Sequence, residues 1–122
     1  MPLTLDLKHG DKMIINGAVI EMASPSAKII VHNEAAILRG KEIMLQEEAS
    51  TPAKRIYFAL QGAYMFKDKE AEYITAFDQY LSEFLRAVPS SLEIVKEVKE
   101  LVEKDRIYKA LKKSHKLIDY EQ

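Results

Sequence analysis

The spacing of apolar residues changes period near residue 46, and this change constrains the fold more than any other feature of the chain. Before it, apolar and polar residues alternate. Leu3, Leu5 and Leu7 are separated by Thr4, Asp6 and Lys8, the period of a half-buried strand. The stretch "HGDK" reads as a turn and "MII" as a second strand. Asn16-Gly17 is then a hairpin signal, because both residue types tolerate positive φ. "AVIEM" is a third strand, closed by "ASPS", where Pro25 cannot donate to a ladder. "AKIIV" is a fourth strand, "HNE" a turn and "AAIL" a fifth strand. Short strands this close together predict a small antiparallel meander or barrel.

After residue 46 the period is helical. In "EEASTPAKRIYFALQGAYMF" either Ser50 or Thr51 is the N-cap, with Pro52 at or near the first helical position. Ile56, Leu60 and Tyr64 share a face, with Tyr57 alongside. Asp68 is the expected cap of "KEAEYITAFDQYLSEFLRAV", whose Tyr73, Phe77, Tyr80, Leu81, Phe84 and Leu85 form a broad apolar stripe. Pro89 stops that helix. Ser90 or Ser91 caps "LEIVKEVKELVEK", where Leu92, Val95, Val98 and Val102 face one way, and "RIYKALKKSHKLIDY" is the last helix. Helices this short are marginal alone, so they should bury their stripes in an antiparallel bundle. The fold class is α+β. A β module of about five strands (1–45) precedes a bundle of three to four helices (46–122).

Composition narrows the function classes. The chain has 122 residues, 48% of them apolar, enough to bury a sizeable interior. A net charge of -1 gives no overall field to attract nucleic acid or an anionic membrane, so any polyanion site must be a local patch. The absence of cysteine removes disulfides, thiol catalysis and cysteine-ligated zinc. No apolar run approaches the roughly 18 residues that span a bilayer. The opening "MPLTLDLKHG" alternates rather than forming a signal-peptide core. A soluble cytoplasmic protein without membrane association is expected.

No catalytic constellation emerges. His9, His32 and His115 have no metal-ligand spacing. Four glycines form neither a P-loop nor a cluster opening a helix. Glu47 and Glu48 are neighbours, and neighbours on a helix point apart. No serine lies in a nucleophile-elbow context. An enzyme is not expected, nor a metal or cofactor.

Two basic features remain. Lys8 and Arg39 lie at opposite ends of the β module, and would flank one edge if the first and fifth strands lay side by side. From Arg106 to Lys116 the last helix has no acid, and Lys109, Lys112, Lys113 and Lys116 follow helical spacing. That positive face could meet phosphates, although lysines near a helix C-terminus also favour the macrodipole without any ligand. Lys54 and Arg55, opening the first long helix, are further candidates, against the plainer reading of a solvated helix end.

Three stretches, "LKHGDKMIINGAVIE", "AAILRGKEIMLQEEASTPAKRIYFALQ" and "YKALKKSHKLIDYE", resemble the FlbT family of bacterial flagellin regulators over essentially the whole chain. The ordered string Thr51-Pro52-Ala53-Lys54-Arg55-Ile56-Tyr57-Phe58 is the most specific part. The resemblance implies post-transcriptional control: members associate with the 5′ untranslated region of flagellin mRNA and promote its decay, while some support flagellin production instead. Over its first 45 or so residues the chain also resembles the carbon-storage regulator family of five-stranded RNA-binding proteins. Those form an intertwined homodimer, with the first strand of one chain beside the fifth of the other and an arginine at the end of the fifth strand central to RNA contact. Arg39 matches that position. Lys8, before His9-Gly10-Asp11, keeps half of that family's strand-one basic pair; Leu7 and Leu38 stand where it has a basic residue and a histidine.

Two functions follow. In the first, the chain binds flagellin mRNA through Arg39, Lys8, Lys54 and Arg55, with Lys109, Lys112, Lys113 and Lys116 as a secondary patch. In the second it is an adaptor whose helices hold flagellin or another flagellar regulator without touching RNA.

Overall fold

The alternating leucines of the N-terminus become β1 (Leu3–Lys8), with Leu5 and Leu7 buried and Thr4, Asp6 and Lys8 exposed. The structure is a computed structural model that describes residues 3–122. The chain divides into two compact units, residues 1–43 and 44–122.

In the first unit, β2 (Lys12–Ile15) and β3 (Ala18–Glu21) form an antiparallel hairpin. Its two-residue turn is Asn16-Gly17, with φ of 48° and 89°, the positive pair that matches the twist of the flanking strands. The Asn16 side chain also accepts the Ala36 N–H at 2.8 Å, which positions β5 (Ile37–Arg39) on the free edge of β2 in the register Met13↔Arg39. β4 (Ser26–Val31) pairs with β1, from Leu3↔Val31 to Lys8↔Ser26.

The order among the described residues is therefore β1-β4 in one sheet and β3-β2-β5 in another. It is not a sequential meander, which would pair β1 with β2. The turn after β1 decides this. Asp11 accepts the Lys8 N–H through its carboxylate at 2.8 Å, and Gly10, at φ 85°, donates to Met22 O. The chain thus turns a corner from one sheet into the other instead of reversing beside β1. Leu5, Leu7 and Met13 form the core, with Ile15, Ile20, Met22, Ile29, Val31 and Ile37 packed on them.

In the second unit, α1 spans Pro52–Met65. Thr51 is the N-cap, its hydroxyl accepting the Lys54 N–H at 3.3 Å, and Pro52 opens the first turn. α2 (Glu70–Ala87), α3 (Leu92–Glu103) and α4 (Ile107–Glu121) follow. Two expected caps differ. Asp68 lies inside a single 3-10 turn, Lys67–Lys69, and Lys69 takes the N-cap position of α2 without a side-chain bond. Ser91 does precede α3, but its hydroxyl turns back to donate to Val88 O at 2.6 Å. Pro89 has already tightened that chain into a 3-10 turn, so the hydroxyl lies over the end of α2.

Helix α1 packs against both α2 and α4, and α3 against α4. Ile56, Leu60, Phe77, Phe84, Val98, Leu111 and Leu117 are fully buried, each burial stabilising the unit by roughly 1.5–3 kcal/mol. Small residues on α1 permit the close approach. Tyr73 of α2 lies directly against Gly62 of α1. The buried Gln61 amide clasps the segment that enters the helices: it accepts Met44 N–H at 2.8 Å and donates to Met44 O at 2.9 Å.

Candidate nucleic-acid interface

Arg39 is the last residue of β5, and its main chain is extended. Gly40 (φ 23°) then opens a 3-10 turn, and the Glu42 carboxylate accepts the Arg39 N–H at 3.0 Å. The side chain leaves its own sheet. Nη2 donates to the main-chain carbonyl of Asp6 in β1 at 2.6 Å. β1 and β5 are not ladder partners, but the guanidinium bridges the gap between them. Arg39 is exposed, and a guanidinium carries five N–H donors in a fixed fork. One arm on Asp6 O orients the group and leaves donors for an incoming acceptor.

Asp6 is two residues from Lys8, about 7 Å along the strand. Their side chains project from the same face of β1, since strand residues alternate, and both are exposed. The structure thus brings the Arg39 fork and Lys8 to neighbouring stretches of one strand. It adds two cations that strand-end reasoning did not select. An open cleft of about 360 Å³ beside Arg39 is lined by Lys12 and Lys41, with Leu7, Gly40, Asp11 and Glu42. The Arg39-Gly40-Lys41 sequence was the available signal for Lys41. Lys12 is placed by the β2–β5 register, which sets its neighbour Met13 opposite Arg39. The two lining carboxylates already accept main-chain N–H groups, Asp11 from Lys8 and Glu42 from Arg39. Lys12 is already engaged by Glu21 at 3.9 Å, which leaves Arg39 and Lys41 as the cleft's cations against two hydrogen-bonded acids.

Lys54 and Arg55 lie in the first turn of α1, half-buried and exposed respectively. Cations are disfavoured at a helix N-terminus, so the macrodipole gives no reason for this pair. The Glu121 carboxylate partly compensates by accepting the Ala53 N–H at 3.1 Å.

The basic face of α4 is divided. Lys113 pairs with Glu97 of α3 at 2.5 Å. The Lys113 hydrogen bond, then its charge, lowers the Glu97 carboxyl below its ordinary value of 4.5, and the bond to Glu97 raises the Lys113 ammonium above 10.5. Lys112 lies 5.3 Å over the Tyr108 ring. Lys109 and Lys116 are exposed. The last turn of α4 contains no basic residue, so a macrodipole role does not account for these lysines. His115 packs edge-on against Tyr57 with ring centroids 5.1 Å apart.

Among the described residues, no group of three His, Cys, Asp or Glu could hold a metal ion, and no helix is long and apolar enough to cross a membrane.

The family described as "Flagellar protein FlbT" matches residues 3–122. A probable flagellum biosynthesis repressor protein FlbT of Caulobacter sp. (strain K31) is 38% identical, covering 99% of this chain and 94% of the relative. The flagellum biosynthesis repressor protein FlbT of Caulobacter vibrioides is 36% identical over 99% of this chain and 87% of its own length. A similarly named protein of Bradyrhizobium diazoefficiens is 33% identical over 100% of this chain and 84% of the relative. No solved structure matches.

Proposed function

This chain belongs to the FlbT family of flagellar proteins, and from that premise we propose that it represses flagellum biosynthesis in the cytoplasm by binding the 5′ untranslated region of flagellin mRNA, lowering its translation or hastening its decay. The repressor names of its relatives support the direction of control. The observation that carries the RNA contact is the Arg39 side chain, steered across the sheet corner by Asp6 O and flanked by Lys41, with Lys12, paired to Glu21, beside it. A permanently charged, oriented fork suits a phosphate or a guanine edge. Lys8 extends the rim along β1, and Lys54 and Arg55 are further phosphate contacts. The overall charge of -1 supplies no general attraction, so affinity must arise from this patch.

Filter binding of the purified chain to flagellin leader RNA, at about 50 mM and about 200 mM salt, tests the reading. Tight, salt-sensitive and sequence-selective binding is expected, with Arg39→Ala removing the selectivity. No difference between leader and unrelated RNA would overturn it.

The adaptor function has one observation in its favour. α2 and α3 scarcely touch, and Leu81, Leu85, Leu92 and Val95 line an open groove of about 240 Å³ between them. If the chain ignores leader RNA yet binds purified flagellin, and Leu92→Glu removes that binding, the adaptor reading replaces the first.

A further inference from the structure

A second cleft, in the helical unit, has a different chemistry from the Arg39 rim. It measures about 390 Å³, and its lining includes Tyr64, Lys67, Asp105, Arg106, Tyr108 and Lys109. That volume is at the lower end of the range for small-molecule sites, about 300–1,000 Å³, and suits one nucleotide rather than several. Tyr64 and Tyr108 form an aromatic wall, their centroids 5.4 Å apart and their planes tilted by 35°. Three cations line the cleft beside it, and a fourth, Lys112, lies 5.3 Å over the Tyr108 ring. Lys67 is engaged by Glu70 at 3.3 Å, which leaves Arg106 and Lys109 as the local excess over Asp105. Both are exposed. Aromatic faces beside cations are the parts from which single-stranded nucleic acid sites are made, because every base has a π face and every nucleotide a phosphate. Asp105 supplies an acceptor for a ribose hydroxyl.

We infer that this cleft binds one phosphorylated nucleoside, with the base against the Tyr64–Tyr108 wall and the phosphate between Arg106 and Lys109. The inference rests on the RNA-regulator reading for its preferred source, a nucleotide of the bound RNA. A free mononucleotide offers the same chemistry.

The test uses the full chain. In the leader-RNA titration, Arg106→Gln with Lys109→Gln should weaken binding several-fold. It should also make the slope of log affinity against log salt shallower by about 0.7, the contribution of the one single-strand phosphate that the two side chains share. Far-ultraviolet circular dichroism verifies that the variant retains its helices. Zero-length photocrosslinking should attach RNA to Tyr64 or Tyr108. In a second arm, AMP is titrated into the labelled chain while the amide resonances of residues 105–109 are followed. Shifts there without any effect of the double variant on RNA affinity would support the cleft and identify its source as free nucleotide. If Arg39→Ala removes the selectivity for leader RNA while the double variant binds normally and AMP shifts nothing, the cleft is overturned and the regulator reading stands. If the chain binds no RNA but AMP shifts residues 105–109, the regulator reading fails and the cleft stands. With neither RNA binding nor an AMP shift, both fall.

Discussion

Replacing Gly62 by alanine sets two known effects against each other. Glycine inside a helix costs about 1 kcal/mol relative to alanine, so at an open site Gly62→Ala would stabilise α1. Gly62 is not open. A Cβ built there would overlap Tyr73 Cε1 and lie 2.5 Å from Cδ1 and 2.6 Å from Cζ. Carbon atoms pack best at about 3.5–4.0 Å, so the ring must retreat by about 1 Å. It cannot do so freely, because Tyr73 stacks on Phe66 with centroids 6.3 Å apart. Overpacking of this kind costs about 1–3 kcal/mol, and three ring atoms place this case in the upper part of that range. Subtracting the helix-propensity gain leaves a net loss of about 1–2 kcal/mol. For a unit of this size 1 kcal/mol corresponds to a fall in Tm of roughly 4–8 °C. Thermal unfolding followed at 222 nm reads the helical unit directly. The decisive comparison is the Tyr73→Ala background, where the obstacle is gone and the same substitution should stabilise by about 1 kcal/mol. An unchanged or raised Tm for Gly62→Ala alone, or an equal loss in both backgrounds, would refute the packing argument.

Other outcomes follow from the same geometry. Gln61→Leu strands the Met44 N–H and C=O and should lower stability by about 2 kcal/mol in urea, with the m value unchanged; a neutral result would mean that water replaces both bonds. Asn16→Ala removes a residue suited to positive φ together with its bond to Ala36 N. A loss of about 1–2 kcal/mol is expected, with faster amide exchange at residues 37–39. Arg39→Lys should keep part of the salt-dependent RNA affinity but lose sequence selection, because a point charge cannot hold Asp6 O and a base edge together; restored selectivity would count against the fork. The Glu97–Lys113 pair has a defined pH window. The Glu97 carboxyl is lowered, so its contribution is present above 4.5 and is lost as pH falls through its folded value. The Lys113 ammonium is raised, so its contribution is present below 10.5 and is lost as pH rises through its folded value. Lys113→Met should therefore remove a small part of the acid and alkaline dependence, read from denaturation midpoints at several pH values.

Local rules made much of this protein legible from its sequence. The change from period two to a helical period reflects only which side chains must leave water. Asn16-Gly17 and Thr51-Pro52 specify a turn and a cap through steric and hydrogen-bonding constraints within a few residues. The strand order depended on something else. β1 joins β4, and β5 joins β2, because of where the corner after Lys8 directs the chain, a matter of long-range pairing that no local period encodes. The same holds for both clefts. Arg39 could be selected as a strand-end charge, but its anchor on Asp6 O joins residues 33 positions apart. Lys113 is one lysine of a basic face in the sequence, but Glu97, on another helix, pairs with it, while Arg106 and Tyr108 line a cleft only because α1 places Tyr64 beside them. Residue types and spacing determined which charges and rings this protein has. Tertiary packing decided which of them remain available, because a charge is spent or kept according to what the fold places within about 4 Å of it.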